Sequence, residues 1–119
     1  MFLDLPHKRM DVYIHARKLL LECRKVTDRF PHEEKFVLAL QIRRAALSVF
    51  LNIAEGSSRF SKAERRRFYE ISRSSIVELD AAFDIAETYG YTQAGLLSEI
   101  GELIVRLFQM LSKLINNSQ

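Results

Sequence analysis

A chain of 119 residues with 48% hydrophobic and 28% charged side chains is long enough for one hydrophobic core, too short for two, and too apolar for a disordered segment. It has no signal-like opening and no apolar run of about 18 residues, which sets a cytoplasmic protein without a membrane anchor as the expectation. Its charge is uneven: residues 1–73 carry 16 Lys/Arg against 9 Asp/Glu, whereas residues 74–119 carry 2 against 6, a polarity suited to a polyanion or to complementary packing between copies.

Val12, Ala16, Leu19, Cys23, Val26 and Phe30 recur at alternating spacings of four and three. This predicts a first helix over about residues 8–29, with Arg17, Lys18, Arg24 and Lys25 off the apolar stripe. Pro31 ends it, because the residue before a proline avoids the α conformation. Cys23, the only cysteine, lies inside the stripe and reads as a buried inert thiol. A second helix is predicted over 32–55, opened by Glu33 and Glu34 and closed by Gly56 in the left-handed position. After the loop Ser57-Ser58-Arg59-Phe60, the Ser61-Lys62-Ala63-Glu64 run has capping-box spacing and opens a third helix over 62–89, stopped by Gly90. Ser72, Ser75, Ala82 and Ala86 are small at helical spacing there and mark a close helix–helix approach. Thr92 is the expected N-cap of a fourth helix over 93–115. Leu96, Ile100, Leu103, Leu107, Met110 and Leu114 line one of its faces, with Leu97, Ile104, Phe108, Leu111 and Ile115 beside it. The glycosylation spacing of Asn116-Asn117-Ser118 is a chance match without secretion. No segment alternates with period two. Short connections make successive helices antiparallel, so the expected fold is all-α, an antiparallel up-and-down four-helix bundle, with residues 1–119 as a single domain.

The second helix carries two apolar stripes, one of Ala39, Ile42, Ala46, Val49 and Ile53, the other of Phe36, Leu40, Leu47, Phe50 and Ala54. A helix apolar around most of its girth must be covered on more than one side, which predicts self-association. Between the stripes run Gln41, Arg44, Ser48, Asn52 and Glu55. They read either as a binding site or as a hydrogen-bonded seam, with Arg43 and Arg44 finding carboxylates such as Glu78 on the third helix and with Ser75 nearby. The seam is the preferred reading, because no nucleophile–base pair accompanies it.

No catalytic residue, cofactor motif or metal set emerges. His7, His15 and His32 stand apart from any carboxylate or cysteine ladder, and phosphate-loop, dinucleotide and nucleophile-elbow motifs are lacking. The expectation is a protein that is not an enzyme and takes no cofactor. Arg59, Lys62, Arg65, Arg66, Arg67 and Arg73, in contrast, fall within 15 residues with only Glu64 and Glu70 between them. Phe60, Phe68 and Tyr69 interleave, Phe68 being assigned to the core. The cluster is a candidate RNA or DNA backbone site, Arg forks matching phosphate oxygens. A solvated helix face is the competing explanation.

Phe30-Pro31, Glu34, Leu38, Gln41-Ile42-Arg43-Arg44-Ala45, Ser48, Asn52-Ile53-Ala54-Glu55-Gly56 and Arg59, continuing through Phe68, Ile71, Ser75, Glu78-Leu79, Ala86 and Gly90-Tyr91, resemble the 23S rRNA intervening-sequence protein family over nearly the whole chain. The resemblance implies a bacterial four-helix bundle of unestablished role that assembles as a homopentamer. The chain is similar, too, to the basic pentameric accessory proteins of diversity-generating retroelements, which associate with nucleic acid. It departs from the family pattern at Phe50, where many members have Pro, and at Ser74, where they have Gly. The function expected is that of a self-assembling, non-enzymatic bundle whose basic patch binds RNA or DNA. The alternative is a protein–protein adaptor with no nucleic-acid ligand.

Overall fold

The computed structural model describes residues 1–93, 95 and 97–118. A 3₁₀ turn, Pro6–Arg9, leads into α1 (Asp11–Thr27), and a second, His32–Glu34, precedes α2 (Leu38–Ser57); α3 (Lys62–Thr88) and α4 (Ser98–Asn117) complete the fold. Among the described residues there is no strand. Helices α1 and α3 each pack on α2 and α4, and among the described residues no backbone approach within 8 Å crosses either diagonal. Four helices in that square are the expected all-α bundle. A helix of 27 residues is about 40 Å long, so α3 runs nearly the full 44 Å of the molecule.

The α1 stripe is buried from Val12 to Phe30, and it meets Ile42, Val49 and Ile53 of α2, Ile76 and Leu79 of α3, and Leu107 and Leu111 of α4 in one core. Fully burying each such side chain contributes about 1.5–3 kcal/mol. Of the two apolar stripes on α2, the one from Ala39 to Ile53 enters the core, while Leu47 of the other stays exposed and Phe50 packs its ring 4.6 Å from Tyr13. The α2–α3 contact is the most extensive in the bundle. Small residues line it: Ser72, Ser75, Ala82 and Ala86 are buried along α3, and Ala45 and Ala46 along α2. Ser72 Oγ donates to the Val49 carbonyl at 2.8 Å, satisfying a buried hydroxyl across the helix pair.

Several boundaries differ from expectation. Helix α1 starts at Asp11, since Pro6 opens a separate 3₁₀ turn. It ends at Thr27, four residues before the proline, in tightened turns from Val26 to Phe30. Helix α2 starts at Leu38 rather than residue 32. No Ser, Thr, Asp or Asn stands there to cap it, so Glu33 and Glu34 sit in a lone 3₁₀ turn and Phe36 and Val37 are exposed. Gly56 is not a left-handed stop. It is helical and buried, and glycine is required there because a Cβ would lie 2.9 Å from Phe68 Cβ. Gly90 does take the left-handed conformation, with φ of 76°. The Tyr91 amide reaches the Ala86 carbonyl at 2.9 Å and the Gly90 amide the Glu87 carbonyl at 3.0 Å, which forms a Schellman motif. Thr92 does not cap α4, which begins at Ser98 beyond a left-handed Gly95. The Leu96 expected on the α4 core face lies outside the described residues. No helix among the described residues is long and apolar enough to cross a membrane.

Candidate nucleic-acid interface

Ser61 begins α3 from an extended backbone, and its Oγ accepts the Glu64 amide at 3.0 Å. That cap fixes the first turns of α3, and with them the side chains of the basic segment. The six cations separate there into three groups. Arg65 Nη1 donates to the carbonyls of Arg59 and Phe60 at 2.9 and 2.6 Å. Arg59 pairs with Glu55 at 2.6 Å, and its guanidinium carbon lies 5.0 Å from the Phe68 ring centroid; its Nε is buried without a partner. These two arginines hold the loop together. Arg73, half a helix away, donates to Ser112 Oγ at 3.1 Å and lies over the Phe108 ring, so it belongs to the α3–α4 face.

Lys62, Arg66 and Arg67 remain. Lys62 and Arg67 are exposed and take part in no ion pair among the described residues, whereas Arg66 is half-buried with its Nε 2.8 Å from Glu70 Oε1. Together with Ala63, Glu70 and Ser118 they line an open cleft beside the α3 N-terminus. A helix N-terminus adds free N–H groups and partial positive charge to the three cations. Phe60, in the loop that leads into α3, is 99% exposed. Phe68, expected in the core, is only half-buried; Tyr69 is the buried aromatic, its hydroxyl 2.9 Å from Ser57 Oγ. Arg65 and Arg66 do not both face solvent freely, because each is engaged at short range. Phe60 is one of the aromatics that interleave with the charge pattern, outside its six cations. Its signal was the loop itself, since an aromatic between Arg59 and Ser61 has no helical stripe to join.

Along α2, the polar residues partly join α3. Ser75 Oγ donates to Ser48 Oγ at 2.8 Å, and Asn52 Nδ2 donates to Ser48 Oγ at 3.1 Å and to its carbonyl at 2.9 Å. Gln41 Nε2 donates to Glu78 Oε1. The partner of Glu78 is thus an amide rather than an arginine. Arg43 turns toward α1 and bonds Asp28 at 2.7 Å and Thr27 Oγ1 at 2.8 Å. Arg44 is exposed and in no ion pair among the described residues, and Glu55 serves Arg59. The stripe holds two helices together at its centre and leaves Arg44 free.

Elsewhere the reactive groups are quiet. Burial pushes the Cys23 thiol up to about 12, with the Glu22 carboxylate adding to the effect. The Tyr91 hydroxyl donates to Glu34 Oε2 at 2.5 Å, tying the α3–α4 connection to the α1–α2 connection, and that bond raises it to about 12. Among the described residues no three His, Cys, Asp or Glu side chains gather as a metal set. No curated protein matches the chain. The family model described as 23S rRNA-intervening sequence protein matches residues 8–113, from the turn before α1 to the last part of α4. The chain belongs to the 23S rRNA-intervening sequence protein family.

Proposed function

We propose that the protein is a non-enzymatic, self-assembling bundle of the cytoplasm that binds the backbone of RNA or DNA through Lys62, Arg66 and Arg67, with Phe60 as a stacking surface. The observation that carries this reading is the convergence of these three cations on the capped N-terminus of α3, two of them in no ion pair among the described residues. Phosphate needs cations free to give up water and counterions, and a loop already held by Arg59 and Arg65 presents them without further ordering. An aromatic ring wholly in solvent has no packing role, while stacking one base on it contributes about 1–3 kcal/mol. Such contacts carry no base preference, so binding is sequence-tolerant.

Self-assembly is supported by Leu47 and Leu51, exposed on α2, and by a family resemblance that implies a pentamer. Five copies would repeat a weak cationic site around an axis and raise its avidity. The test is a salt titration of binding to a random single-stranded RNA, with assembly followed by light scattering. Lys62→Glu combined with Arg67→Glu abolishes binding and flattens the salt dependence, while helicity and mass stay those of wild type. Equal binding by that variant would reduce the cleft to a solvated face. A wild type that fails to bind at low salt would leave the adaptor reading.

A further inference from the structure

Exposed charges without ion-pair partners lie on opposite sides of the bundle. On α1 and α2, Arg17, Arg24 and Arg44 are exposed; on the second half of α3, Asp80 and Asp84 are, while the exposed cations Lys62, Arg67, Arg106 and Lys113 of α3 and α4 lie outside the cleft that Val77, Asp80 and Phe108 line. Arg17, Arg24, Arg44, Asp80 and Asp84 take part in no ion pair among the described residues. In the square of helices the α1–α2 pair stands opposite the α3–α4 pair, so the two sets lie on different halves of the bundle.

Each side exposes large apolar residues among its charges. Leu21 and Leu51 are more than half exposed on the first side, and Val77 and Val105 on the second. Phe108, 41% exposed, joins Val77 and Val105 in a cleft between α3 and α4 that Asp80 also lines. Neither patch suits a phosphate backbone: the first would leave its leucines in water, and the second presents Asp80 and Asp84 beside its cleft. Neither side suits itself, because two copies of either face would bring like charges together at cost. One face fits the other.

We infer that each copy docks its α1–α2 face on the α3–α4 face of the next, a head-to-tail contact that rests on the self-assembly proposed above. The leucines of α1 and α2 cover the Val77–Phe108 cleft, and Arg17 and Arg24 meet Asp80 and Asp84 around it. A contact between two different faces propagates from copy to copy rather than stopping at a two-fold dimer. It also gives the charge difference between the two parts of the sequence a mechanical role: it selects the partner face and the register.

Charge reversal tests this at low salt, with mass read by light scattering and helicity by circular dichroism. Arg17→Glu with Arg24→Glu, or Asp80→Arg with Asp84→Arg, each shifts dissociation to at least tenfold higher protein concentration. All four changes in one chain restore assembly. Should that chain fail to fold, an equimolar mixture of the two doubly reversed proteins co-assembles instead. An oligomeric wild type whose mass is indifferent to both reversals overturns the face pairing but leaves self-assembly standing. Loss of assembly without rescue, in the combined chain or the mixture, overturns it as well. So does a cationic-face reversal that removes RNA binding while mass is unchanged. A wild type that stays a 13.9 kDa monomer sinks both self-assembly and the pairing.

Discussion

Gly56 and Phe68 hold α2 and α3 so close that a Cβ on the glycine would stand 2.9 Å from the Phe68 Cβ, with the Tyr69 ring 3.1 Å away. Tyr69 is buried and bonded to Ser57, so its ring has little room to yield. Gly56→Ala gains about 1 kcal/mol of helix propensity, but overpacking a tight contact costs about 1–3 kcal/mol. The expected net is a lower urea midpoint. A midpoint unchanged or raised would mean that α3 moves aside freely.

Arg65 and Arg67 are two residues apart and have opposite roles. Arg65→Ala removes two bonds to loop carbonyls, and a loss of about 1–2 kcal/mol in stability is expected. Arg67→Ala changes stability by less than about 0.5 kcal/mol, yet lowers the slope of log affinity against log salt by about 1. Thermal melts and RNA titrations on both variants separate the roles. The same pattern in each would show that the segment acts as a unit.

The bundle was legible because its signals are local. The α1 stripe and the glycine after Thr88 depend on residues within one or two turns, and both appear as read. Gly56 was misread because its constraint comes from Phe68 and Tyr69 of α3, twelve and thirteen residues on, while its flanking sequence looks like a helix end. The candidate site was legible as a composition and not as a geometry. Six cations in fifteen residues are visible in the sequence, but which of them serve the fold depends on partners such as the Phe60 carbonyl and Ser112. The partner of Arg43 was missed for the same reason: Asp28 reaches it through the turn of the α1–α2 connection.

Cys23 is 1% exposed in the middle of the α1 stripe. With its thiol pushed up to about 12, roughly one molecule in ten thousand carries the thiolate at pH 8. Alkylation of the native protein at that pH is therefore expected to follow unfolding, becoming fast only in denaturant. Rapid labelling of folded protein, with helicity retained, would contradict the burial of α1 against the core.

His7 is the group most exposed to a pH test. It is buried in the Pro6–Arg9 turn, its ring 5.1 Å from Tyr13, which in turn packs on Phe50 of α2. Burial, with Lys8 adding to it, holds its pKa below the ordinary 6.5. The unfolded chain therefore binds a proton here before the folded one does. Stability from this histidine is full above about pH 6.5 and falls as pH drops through 6.5 toward the lower folded value. His7→Gln removes that dependence, while His15 and His32 remain in both proteins. Denaturant midpoints measured between about pH 7.5 and 5.5 should fall more steeply for wild type than for His7→Gln. Parallel profiles would place the acid sensitivity of the bundle elsewhere and leave the turn docked through the pH range.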